Sequence, residues 1–281
     1  MNVTLPRALA VVVAAALVLR LGVSEAAPRA DGAPAVYLSL GDSLGVGVGS
    51  VPFEVTGVAQ TGYAEHLSHL LRGQPFGGVD SFVNLARGGE TTTTFLTNGQ
   101  AAEAAQVIAA PSDVRVVTLS LGGNDLLGLL GGPCVAPLTP SCDAAIAQAL
   151  ATVSAKYPLV LASVLQALAT SQDPGGAQLM VLTVYNPFSG TGSVYEAPVD
   201  RVLLGADLTI DCAAAAASPL NAGLNDIIAC AARAAGATVV DLYPVFQGRG
   251  ATLTHILAGD IHPTNAGYAA IASAVRQVIR S

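Results

Sequence analysis

Val36-Tyr37-Leu38-Ser39-Leu40-Gly41-Asp42-Ser43-Leu44-Gly45 is the stretch whose reading decides the fold. Its Val, Tyr and Leu residues predict a short buried strand at about 35–40. The run stops at Gly41, and Ser43 follows two residues later, with Gly45 beyond it. Glycines on both sides let the backbone turn sharply and leave room beside the hydroxyl. A serine at the carboxyl end of a parallel strand stands where open α/β sheets bind ligands.

Working outward, further strands are expected at Asp80–Leu85, Val114–Leu121, Gln178–Tyr185 and Thr238–Leu242. Between them, Tyr63, Leu67, Leu70 and Leu71 recur at helical spacing, and Ala101–Ala110 reads as a helix stopped by Pro111. Asp143 is a suitable N-cap for a helix from Ala144, with Ile146, Leu150, Val153 and Tyr157 on one face. Pro158 is expected to end or kink it before a second apolar face at Leu161, Val164, Leu165 and Leu168. Leu220–Ala235 and Thr264–Ile279 read as helices, the last with Tyr268, Ile271, Val275 and Val278 on one face. Segments 45–60, 128–142 and 186–218 read as loops, and a loop as long as the third is often functional. Strands alternating with helices predict an α/β fold, a mostly parallel five-stranded sheet covered on both sides, in a single domain over 35–281.

Charged residues make up 11% of the 281, far below an average soluble domain, and much of the apolar content is alanine. A net charge of −7 with one lysine, Lys156, argues against a nucleic-acid partner, which needs a basic face. The first 26 residues read as a secretory signal peptide. Arg7 opens it, Ala8–Leu19 is a 12-residue apolar run, and Ser24-Glu25-Ala26 has the small-x-small cleavage form. Such a run is too short for a bilayer span, although an uncleaved anchor is the competing reading. Cleavage after Ala26 would remove Arg7, Arg20 and Glu25, taking the net charge from −7 to −8 (−7 minus +1). Residues 27–34 then form a flexible lead-in.

Four cysteines in an exported chain suggest two disulfides. The pairing Cys134–Cys142 with Cys212–Cys230 is favoured because each pair brackets one local segment; buried free thiols are the alternative. The spacings fit no zinc pattern, so no metal is expected, and the Gly45–Gly49 run lacks the spacing of a phosphate or dinucleotide loop.

Gly41-Asp42-Ser43-Leu44-Gly45 fits G-x-S-x-G, but in α/β-hydrolases that elbow follows several strands, and here it follows the first. Asn124, after Leu119-Ser120-Leu121-Gly122-Gly123, could aim an N–H at developing negative charge or simply close an Asx-turn. Gly89, in Asn84-Leu85-Ala86-Arg87-Gly88-Gly89-Glu90-Thr91, could present a backbone N–H there, or be a plain turn glycine. His262 lies in Gly259-Asp260-Ile261-His262-Pro263, on a loop before the final helix, and can reach the sheet's carboxyl edge. His66 and His69 fall within a helix, and His255 has no evident partner.

Taken in order, these blocks resemble the GDSL, or SGNH, hydrolases, over nearly the whole chain from Ser39 to Ile279. The resemblance implies a three-layer α/β/α, flavodoxin-like fold, with Ser43 as nucleophile and His262 as its base. It also implies an oxyanion hole from the backbone N–H groups of Ser43 and Gly89 and the side chain of Asn124, and no cofactor. Tyr185-Asn186-Pro187 matches a stretch that similar proteins carry after the fourth strand. Many family members place the acid three residues before the histidine, which is Gly259 here; Asp260 stands two before, so either Asp260 or a backbone carbonyl orients the ring. The expected activity is hydrolysis of a small-molecule or lipid carboxylic ester by an extracellular serine hydrolase. A carbohydrate O-acetyl esterase is the alternative within enzymes, which the 5% aromatic content and absence of tryptophan disfavour. An exported binding protein on the same fold, without turnover, is the alternative outside them.

Overall fold

A computed structural model describes residues 33–50, 62–74, 78–130, 132–134, 139–171, 176–205, 208–213 and 222–280. The expected signal peptide, nearly all of the lead-in and most of the 45–60 loop lie outside the described residues.

The strands are β1 (Ala35–Gly41), β2 (Ser81–Asn84), β3 (Asp113–Ser120), β4 (Gln178–Leu182) and β5 (Thr238–Val240). They pair in the order β2-β1-β3-β4-β5, every pair parallel. The strand order reverses between β1 and β3, and the crevice beyond the carboxyl ends of those two strands is where such sheets bind ligands. Both faces of the three central strands, β1, β3 and β4, are buried, which explains why those strands read as near-continuous apolar runs.

The helices are α1 (Ser43–Val46), α2 (Tyr63–Leu71), α3 (Thr92–Thr97), α4 (Gln100–Ala109), α5 (Gly123–Leu130), α6 (Pro140–Ala169), α7 (Glu196–Leu204), α8 (Leu224–Ala234), α9 (Tyr243–Phe246), α10 (Gly250–Leu253) and α11 (Asn265–Val278). Side chains alternate across the pleat. Leu38, Leu40, Leu119 and Val181 pack beneath α4, α6 and α8, whereas Tyr37, Val116, Met180 and Leu182 pack beneath α2 and α11. The result is the three-layer α/β/α arrangement expected from the sequence.

Several local expectations are corrected. Pro158 does not end the central helix: α6 runs unbroken for 30 residues. Its Leu150, Val153, Tyr157, Leu161, Val164 and Leu168 form one buried stripe on the sheet, and that burial outweighs the hydrogen bond the proline removes. By length and composition α6 would suffice to cross a bilayer, and here its buried stripe lies on the sheet. Its cap is Thr139, whose hydroxyl accepts from the Cys142 N–H with Pro140 in the first turn, rather than Asp143. Gly45 and Val46 belong to α1, and α5 extends two residues beyond the expected start of the 128–142 loop, to Leu130. Within 186–218, α7 forms at Glu196–Leu204. Leu70, assigned to the apolar face of α2, is 45% exposed.

Candidate active site

Gly41 makes the turn out of β1 possible. Its φ of +115° lies in the left-handed region, and a Cβ there would stand 1.8 Å from the Ser120 carbonyl oxygen. That closeness lets the Asp42 N–H donate to Ser120 O at 2.9 Å, clamping the end of β1 to the end of β3. Asp42 then caps α1, its carboxylate accepting from the Leu44 N–H at 3.1 Å, so Ser43 opens the helix. Among the described residues the Ser43 N–H donates to no partner, as befits the first position of a helix.

The histidine arrives from the far end of the chain. A backbone bridge between Thr254 and Pro263, with the His255 N–H donating to His262 O at 2.9 Å, holds the two arms of its loop together. His255 Nε2 lies 2.9 Å from the Gly49 carbonyl, so a histidine without an evident partner in sequence joins this loop to the segment after Ser43. Tyr185 donates to the Ile261 carbonyl at 2.8 Å, and Tyr268 of α11 donates to Val48 O at 2.5 Å. These contacts bring His262 Nε2 to 3.0 Å from Ser43 Oγ across 219 positions of sequence.

Asp260 reaches the other ring nitrogen. Its Oδ1 lies 2.6 Å from His262 Nδ1 and also accepts the His262 backbone N–H at 3.0 Å. Gly259 at φ +82° supplies the bend that brings an acid two residues before the histidine back onto the ring. Partial burial pushes the Asp260 carboxyl up, but the His262 N–H, its ring and the charges of His262 and His255 outweigh this and hold it below its ordinary range.

Asn124 opens the crevice on the β3 side, and its Nδ2 donates to the Glu90 carbonyl at 2.9 Å, leaving a second N–H on the same nitrogen. Gly89 stands one residue before this contact, at φ +78°, and among the described residues its N–H has no partner. Asp42 is the electrostatic oddity. It is 6% exposed, and burial pushes its carboxyl up to about 7 despite donors from Leu44 and Ser120.

An apolar cavity of about 150 Å³ opens beside Ser43, Asn124 and His262. Leu126 and Leu127 of α5, Ile146 of α6 and Val199, Val202 and Leu203 of α7 form its walls. Gly89 does not line it. Asn186 holds α7 over the cavity by donating to Glu196 O at 2.9 Å and to Asp200 Oδ1 at 2.6 Å. The disulfides are Cys134–Cys142 and Cys212–Cys230, the favoured pairing, and the first also lines the cavity. Two disulfides fit an oxidising compartment.

Residues 39–270 match the profile of the GDSL-like lipase/acylhydrolase family. The chain belongs to that family. As a GDSL-family hydrolase it shares its fold with an extracellular lipase from Streptomyces rimosus (21% identity, TM-score 0.56, covering 86% of this chain and 99% of that one). A lipase from a goat rumen metagenome superposes comparably (21% identity, TM-score 0.55, 86% and 96% covered). So does an acetylxylan esterase from Geobacillus stearothermophilus (16% identity, TM-score 0.55, 89% and 96% covered). At these identities the likeness concerns the fold. No curated protein matches the GDSL chain in sequence.

Two features beside the candidate GDSL site carried no sequence expectation. Gln100 is fully buried and bonded to Gly41, yet it opens an alanine-rich helix with nothing to single it out. The cavity wall on α7 had a signal in the 199, 202, 203 spacing, too short to stand out as a sustained period within 186–218.

Proposed function

We propose that this chain is an exported serine hydrolase that cleaves carboxylic esters with aliphatic acyl groups. The observation that carries the reading is the line Ser43 Oγ–His262 Nε2–His262 Nδ1–Asp260 Oδ1, at 3.0 and 2.6 Å, at the mouth of an apolar cavity. With its Nδ1 proton donated to Asp260, His262 accepts the Ser43 proton at Nε2 as the oxygen attacks the ester carbonyl. The carbonyl oxygen becomes an oxyanion, and the free N–H of Asn124 with the Ser43 and Gly89 backbone N–H groups stabilise it. His262 then returns the proton to the departing alcohol. Water, deprotonated by the same ring, attacks the acyl-enzyme and releases the acid and Ser43. No step calls for a metal or an organic cofactor.

The cavity walls support an acyl chain of several carbons over an acetyl group on a sugar. Burying each methylene contributes about 0.8 kcal/mol, roughly fourfold in kcat/KM per carbon until the cavity is full. Export is supported by the disulfides and by the leader-like residues 1–26. The acidic balance and single lysine give no footing for nucleic acid.

The test is fluorophosphonate labelling of the purified protein, mapped to Ser43, together with hydrolysis of p-nitrophenyl esters of increasing acyl length and of acetyl-xylan. Ser43→Ala is expected to abolish both labelling and turnover, and Asn124→Ala to cut kcat by about 10²–10³. Wild-type turnover in either variant refutes the scheme. A preference for acetyl-xylan over every p-nitrophenyl ester refutes the acyl assignment alone.

A further inference from the structure

The Asn124 amide and the Gly89 turn need something to hold them in register with Ser43, and the four sequence blocks do not contain it. β2 stops pairing with β1 at Asn84 opposite Ser39. Beyond that point the Gly41 peptide, two residues before the nucleophile, has lost its strand neighbour on the β2 side. The Arg87 N–H still reaches Gly41 O at 2.9 Å, but the Gly41 N–H needs an acceptor. Gln100 provides it. Its Oε1 accepts the Gly41 N–H at 2.6 Å, and its Nε2 donates back to Gly41 O at 3.0 Å, so one side-chain amide grips both backbone polar groups of Gly41. The same Nε2 donates to Glu90 Oε2 at 2.8 Å. The backbone carbonyl of Glu90 is the acceptor for Asn124, and Glu90 directly follows Gly89.

We propose that Gln100 is a positioning residue of the oxyanion hole, tying the Ser43 turn to the Glu90 carboxylate and, through the Glu90 carbonyl, fixing the Asn124 amide. The inference rests on the hydrolytic reading above. Gln100 is 0% exposed and Glu90 4%, so both polar side chains are costly to bury unless bonded, and an apolar pair could fill the same space. What the bonded pair adds is direction. It reaches all three donors of the proposed hole: two residues from Ser43, one from Gly89 and one hydrogen bond from Asn124. Oxyanion donors act only when held close to the position where the charge develops, so a loosened frame lowers kcat without weakening substrate binding.

Gln100→Met keeps the length and loses all three bonds. It is expected to lower kcat on a p-nitrophenyl ester about tenfold to a hundredfold with KM within threefold. Affinity for a trifluoromethyl ketone, which forms the oxyanion, should fall in parallel. In the double variant Gln100→Met/Asn124→Ala the loss should be at least tenfold smaller than the product of the two single losses, because the amide being oriented is gone. If Gln100→Met does not fold, Gln100→Glu and the exchange Gln100→Glu/Glu90→Gln replace it. The single variant sets two carboxyl groups face to face and should lose activity, and the exchange restores the donor between positions 100 and 90, though not the bond to Gly41 O, and should regain at least threefold over its single parent.

The proposal is overturned if Gln100→Met melts earlier but keeps kcat and ketone affinity within twofold. It is overturned equally by independent, multiplicative losses in the double variant, or by an exchange as inactive as its single parent. Failure of the wild type to label at Ser43 is a different result, because it removes the hydrolytic reading itself.

Discussion

Asp42→Asn tests the site's electrostatics through stability alone. Asp42 is buried, its Oδ1 accepts from Leu44 N–H and Ser120 O–H at 3.1 Å each, and no Lys or Arg among the described residues pairs with it. Burial raises its pKa from 3.8 to about 7. A shift of about three units corresponds to roughly 4 kcal/mol between the two protonation states. The sign follows from proton uptake. Between pH 4 and 7 the native protein holds a proton here that the unfolded chain has released, so stability falls as pH rises through that window. Asparagine keeps the accepting oxygen, mimics the protonated carboxyl and cannot titrate. Urea unfolding with disulfides intact, followed by far-ultraviolet circular dichroism at unit steps from pH 4 to 8, measures both proteins. The wild type should lose up to ~4 kcal/mol relative to the variant across that range. The raised Asp125 and lowered Asp260 are present in both and cancel in the difference. Curves that run parallel within ~1 kcal/mol would refute the assignment of Asp42 as a carboxyl whose charge is disfavoured by burial.

The remaining predictions concern the turn, the acid and the crosslinks. Gly41→Ala puts a Cβ 1.8 Å from a backbone carbonyl at φ +115°, so it should cost more than about 4 kcal/mol or prevent folding, read by thermal melting and soluble yield. Asp260→Asn should lower kcat while leaving the melting point within a few degrees, because the acid is 44% exposed and its role in the proposed reaction is to orient His262. Replacing Cys212 and Cys230 by serine should cost about 3 kcal/mol and replacing Cys134 and Cys142 about 2.5 kcal/mol, following closed loops of 18 and 8 residues in urea unfolding. The second pair should also change acyl-length preference, because it lines the cavity.

What could be read along the chain was local. β1, the Gly41 turn and the position of Ser43 follow from ten adjacent residues, and the disulfide pairing follows from short brackets. The errors arose where tertiary burial overrode a local signal. Pro158 breaks helices in isolation, but α6 is held on both sides of it by the same stripe against the sheet. The 186–218 segment read as a loop, yet α7 forms within it, and Pro198, as the third residue of that helix, falls in the first turn, where its missing N–H has no intrahelical partner to lose.

Gln100 marks the harder limit. Its chemistry depends on Gly41, 59 residues earlier, and on Glu90, and no periodicity links them. A motif records groups that meet the substrate, because their types are set by the reaction. A group that holds those groups in place is set by the geometry around it, where any donor–acceptor of the right length would serve. Glutamine suits this place because one amide offers an acceptor to the Gly41 N–H and donors to both Gly41 O and Glu90. Asparagine is one methylene shorter and leucine has neither function. At such a site the sequence is legible only after the fold has set the three partners around a common point, which is why the motif blocks could point to Ser43 and His262 as candidates and could not point to Gln100.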